Sequence, residues 1–167
     1  LYVQWCRAGT ARAEERSQTD EPAQVCFGLP AAHLHVSGGR GFRQPGELTS
    51  REKQDMATYG YVTRTDQGTD ESLELWQIVN HSASGFMCMQ RESNNRGRVG
   101  HNQLLAVRRP AGRSFHLGMI QWLRMEENGE IYCGVRLFPG TPHAIWVGPS
   151  NFTPTGTGRY ERALLLP

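Results

Sequence analysis

The chain has 167 residues, 38% of them hydrophobic and 20% charged, which excludes a wholly disordered chain and suffices for one domain with a sizeable core. Its formal net charge of +2 is too small to imply bulk nucleic-acid binding, and no apolar run approaches the roughly 20 residues that cross a bilayer. Nineteen glycines favour many turns and so a β-rich fold. Cys6, Cys26, Cys88 and Cys133 form no CxxC pair, so they suggest neither a zinc ribbon nor a disulfide, and a reducing cytoplasm is expected. Leu1 is not an initiator methionine, and the chain is expected to be part of a longer one.

Residues 1–6 are apolar, and residues 7–16 are polar, holding Arg7, Arg12, Glu14, Glu15 and Arg16. Arg12 and Arg16 are four apart; they share a face in a helical turn, or one side of an extended chain about 13 Å apart. Read alone, this is a solvated charge run, and Arg7 to Ser17, without an apolar face, is expected to be mobile in the absence of ligand. Residues 23–29 alternate, with Val25, Phe27 and Leu29 on one face, as in a strand. Pro30 to Val36 is a second apolar stretch, whose His33 and His35 read as structural residues on a strand. Thr49 to Glu52 has the pattern of a capping box, which predicts a short helix from Ser50 to about Tyr59.

Leu73 to Val79 and Phe86 to Met89 are two apolar runs meeting at Asn80-His-Ser82-Ala-Ser-Gly85, the composition of a strand, a tight connection and a second strand. Gly85 supplies either a positive φ or room for close approach. The polar groups of Asn80 and Ser82 suit a small polar ligand, and equally an ordinary turn that bonds its own backbone. Further strands are expected over 103–109, 114–123, 131–138 and 144–147, with a last one over 159–166. Asn128-Gly129 marks a hairpin. The expected core is Val25, Phe27, Ile78, Phe86, Ile120, Trp122, Val135 and Leu137. Seven or eight short strands with tight turns and no βαβ rhythm predict a mainly β antiparallel sandwich or barrel.

Arg12-Ala-Glu-Glu-Arg16 ahead of the first strand, followed by Asn80-His-Ser82-Ala-Ser-Gly85, resembles the RxxxR and [D/N]xSxxG motifs of the PilZ domain, a six-stranded barrel of bacterial signalling proteins. The run 117–123 followed by 132–136 is similar to that family's closing hairpin, in which a glycine and a tryptophan recur. The two motifs lie 64 residues apart, further than a simple PilZ barrel needs. The resemblance therefore implies a single PilZ-like barrel domain over 1–167 with an inserted short helix and extra flanking segments. Residues 1–11 form an N-terminal flank, 12–29 the arginine motif and first strand, 30–70 the insertion, 71–148 the barrel and 149–167 a C-terminal flank.

The function implied is binding of cyclic di-GMP as a signalling receptor, with no metal, no catalysis and no DNA partner. Arg12, Arg16, Asn80, Ser82 and Gly85 carry over as ligand-binding residues, with Arg7 as a third arginine. A guanidinium presents a planar fork of donors to a phosphate or a guanine edge and stacks on the base. A downstream protein or other domains of the full-length chain are expected partners, and a homodimer is compatible. The alternative is a PilZ-like interaction module that no longer binds nucleotide.

Overall fold

A computed structural model describes residues 14–41, 50–60, 73–90, 99–148 and 160–167. Six strands close into an antiparallel barrel: β1 (Ser17–Phe27), β2 (Glu74–His81), β3 (Gly85–Gln90), β4 (Leu104–Arg108), β5 (His116–Met125) and β6 (Ile131–Leu137). Their order around the barrel is β1-β2-β3-β6-β5-β4, and β1 closes it by pairing with both β2 and β4. Pro22 pairs with Gln77 of β2, while β4 pairs only with Gln24 to Phe27, so the proline's missing donor falls beyond the reach of β4.

Alternation fills the interior. Ala23 and Val25, Trp76 and Ile78, Phe86 and Cys88, Leu105 and Val107, Ile120, and Ile131, Cys133 and Val135 form one buried cluster, with Phe27 and Leu137 packed against it. Seven of the eight expected core residues are thus in or against the core; Trp122 is not. Its side chain is 37% exposed. The cause is a register shift in the β5–β6 ladder: Ile120 pairs with Val135, but Trp122 pairs with Gly134. The extra residue, Gln121, is a bulge that reverses the alternation and turns Trp122 outward. The core tryptophan is Trp76, whose indole N–H donates to Glu74 at 2.9 Å and whose ring meets Phe27 edge-on.

Cys26, Cys88 and Cys133 are buried, and none is in a disulfide among the described residues. Cys88 and Cys133 face each other across β3 and β6, with sulfurs 3.1 Å apart. Burial, with the contact to Cys133, pushes the Cys88 thiol well up.

The stretch after β1 is corrected. Gly28, at φ +83°, ends the strand, and residues Gly28–Val36 form helix α1 rather than a strand. Pro30 sits in its first turn, where a missing N–H costs nothing. Leu29 consequently leaves the strand face and is exposed. The expected helix over Ser50–Tyr59 is present as α2, so segment 30–70 holds most of one helix and all of another; Thr49 of the capping box lies outside the described residues.

Helix α1 lies on the outer wall. Cys26, Ala106 and Leu117 pair across β1, β4 and β5, and Ala31 and Ala32 of the helix pack on them with Phe115. A second, two-stranded sheet joins β7 (His143–Val147) to β8 (Glu161–Leu165), so the expected C-terminal flank completes a sheet with residues ahead of it. Leu164 and Leu166 extend the α1 cluster. His33, fully buried in α1, lies 3.1 Å from the Ile145 carbonyl oxygen through Nε2 and edge-on to Trp146, tying the helix to this sheet. Among the described residues, no helix is long and apolar enough to cross a membrane.

Candidate functional site

Two bulges assemble the site. In the β2–β3 ladder, Ile78 pairs with Cys88 but Asn80 pairs with Met87, so Val79 is the extra residue. Strict alternation from the core residue Ile78 would aim Asn80 inward; the bulge turns it to the outer face beside Met87. The Gln121 bulge does the same for Trp122. A row then runs across four strands: Asn80 on β2, Met87 on β3, Gly134 on β6 and Trp122 on β5. Gly134 is the position that lets the indole lie across β6, because a Cβ there would collide with Trp122 Nε1. The result is a groove of about 540 Å³ lined by Arg16, Asn80, Met87, Trp122 and Arg124.

Arg16 immediately precedes β1, which pairs with β2 at Gln18–Asn80, so its guanidinium reaches the groove. Arg16 Nη1 donates to Asn80 Oδ1 at 3.1 Å, joining residues from the two sequence motifs. The Asn80 amide nitrogen contacts Met87 Sδ at 3.9 Å. At the far side, Arg124 pairs with Glu126 at 2.8 Å, and its guanidinium lies 5.5 Å from the Tyr132 ring centre. The Tyr132 hydroxyl donates to Glu130 at 3.0 Å, which holds its proton and pushes its pKa up.

Ser82 and Gly85 shape the rim. Ser82 N–H donates to the Gly85 carbonyl at 2.7 Å, and its hydroxyl contacts the same oxygen at 3.4 Å, so Ser82 bonds its own turn. Gly85 is needed for close approach, not for a positive φ: a Cβ would collide with the Val135 carbonyl oxygen. Leu137 N–H donates to the Ser84 carbonyl at 2.8 Å, pinning the turn to β6.

Of the residues expected at the site, Arg16, Asn80, Ser82 and Gly85 come together at one end of β2 and β3; Arg7 and Arg12 lie outside the described residues. Of the segment expected to be mobile, the described residues contact the barrel through Arg16 on Asn80 and through Glu14. Ser84 donates to Glu14 Oε2 twice, from its amide at 3.0 Å and its hydroxyl at 2.8 Å. These bonds, the Ser84 hydroxyl's first, with Ser82 contributing, hold the Glu14 carboxyl below the usual range. Trp122, Arg124, Met87 and Glu14 were not read from the sequence as site residues. The Trp122–Gly134 pairing was within reach of a register argument that allowed for a bulge. Comparison with protein-family models and with curated proteins finds no match.

Proposed function

We propose that this barrel binds cyclic di-GMP in the groove between Arg16, Asn80 and Trp122, as a signalling receptor domain of the PilZ kind. The observation that carries the reading is the Arg16–Asn80 hydrogen bond at the rim of the groove: two motifs 64 residues apart in sequence meet where a ligand would sit. The lining supports it chemically. Two guanidinium groups suit phosphate charges, an amide suits a base edge, and a half-exposed indole beside a methionine gives a purine an apolar face. No catalytic step is assigned to these residues. The reading carries with it a cytoplasmic setting, in keeping with the buried Cys88 and Cys133, which are in no disulfide.

Calorimetric titration with cyclic di-GMP is the test. A charged hydrogen bond contributes more than a neutral one, so Arg16→Ala should weaken binding by roughly ten- to a hundredfold and Asn80→Ala by about tenfold or less. Unchanged melting temperatures serve as the folding control. A parent protein that shows no heat of binding, or an Arg16→Ala variant that binds as tightly as the parent, refutes the reading. The second reading, a PilZ-like interaction module, has its own observation: Trp146, Val147 and Leu165 are all exposed on the β7–β8 sheet. It gains if the parent does not bind.

A further inference from the structure

The turn at residues 82–85 is a set of fixed donors. Its backbone is held from both sides, by Ser82 N–H on Gly85 and by Leu137 N–H on Ser84, and Gly85 is wedged against Val135. On this frame the Ser84 amide and hydroxyl converge on one oxygen of Glu14, at 3.0 and 2.8 Å. Both distances are of full hydrogen-bond length to an ionisable acceptor, and the paired partners are 70 residues apart, so this is no local turn contact. A carboxylate oxygen held by a backbone N–H and a hydroxyl stands in for a phosphate oxygen, which takes the same donors with the same charge. Glu14 lies two residues ahead of Arg16, whose guanidinium enters the groove.

We propose that the 82–85 turn is a phosphate subsite, and that Glu14 fills it as an internal competitor until a phosphodiester of the bound nucleotide takes its place. The nucleotide's identity rests on the function proposed above; the subsite itself does not. Displacement frees Glu14, two residues ahead of the Arg16 that lines the groove, and so couples ligand entry to a rearrangement of residues 14–16. Glu14 then acts as a threshold: its carboxylate opposes the incoming charge and competes for its donors.

The test uses the whole chain with three substitutions. Glu14→Gln and Glu14→Ala should bind cyclic di-GMP about fivefold more tightly than the parent, the size of one unit-charge repulsion near contact in water. Adding Ser84→Ala to Glu14→Ala should cancel most of that gain, since it removes a subsite donor. Equal or weaker binding by both Glu14 variants, with the parent binding, overturns the subsite while leaving the nucleotide reading intact. If no variant binds the dinucleotide, the nucleotide reading fails and inorganic phosphate decides the subsite. In Glu14→Ala, a saturable shift of the Ser84 amide resonance with millimolar phosphate supports it, and the absence of any shift rules it out.

Discussion

Trp76 and Trp122 stand on opposite sides of the barrel wall, and their substitutions should separate stability from binding. Trp76 is 1% exposed, so Trp76→Ala empties the interior and should cost about 3–5 kcal/mol in a denaturant titration. Trp122 touches the groove and the backbone of Gly134, so Trp122→Ala should cost about 1 kcal/mol or less, the scale of a surface change, while weakening the proposed nucleotide binding measurably. The two glycines behave differently again. An added methyl at Gly134 meets an indole that can swing aside, so Gly134→Ala should distort the groove more than the fold. At Gly85 the methyl meets the Val135 carbonyl, a backbone atom that cannot swing, and Gly85→Ala should lower stability by about 1–3 kcal/mol. Thermal melts of the two variants side by side give the comparison.

At the scale of elements, helix α1 and the β7–β8 sheet hold each other on one wall of the barrel, away from the groove. The contact of His33 with the Ile145 carbonyl is a polar tie between them. His33→Ala should raise amide hydrogen exchange in β7 and β8 well above the parent, while exchange in β2 and β3 stays unchanged; uniform acceleration everywhere would contradict this division. The strands were legible because Val25, Ile78, Phe86 and Val135 follow strict alternation and Asn128-Gly129 marks its hairpin. Helix α1 was not, because nine residues with two histidines and a proline carry no clear helical period, and the decisive event is a single left-handed Gly28. Trp122 was misplaced because a bulge is a one-residue change that leaves the hydrophobic pattern intact while reversing the face. Arg16 and Asn80 were legible through motif spacing. Glu14 was hidden among neighbouring charges, since nothing in its surroundings points to Ser84, 70 residues away.

At the scale of the molecule, the strand pairs differ greatly in how far apart their members lie along the chain. β2–β3, β4–β5 and β5–β6 are neighbours joined by modest connections. The remaining pairs are distant: Cys88 on β3 meets Cys133 on β6 across 45 residues, and β1 reaches furthest, with Arg16 meeting Asn80 across 64 residues and Gln24 meeting Arg108 across 84. Contacts of such separation carry the largest loop-closure cost and form late. The local hairpins should therefore be in place before β1 locks the cylinder shut, and stopped-flow refolding should show fluorescence change in more than one phase. Arg16 rides on the strand that closes last. The groove should consequently be finished only by the final kinetic step, and chains caught before it should keep much of their sheet signal yet leave the proposed ligand, cyclic di-GMP, unbound. Ligand capture would then report completion of the native state, and nucleotide present during refolding should pull late intermediates forward without hastening the early hairpins.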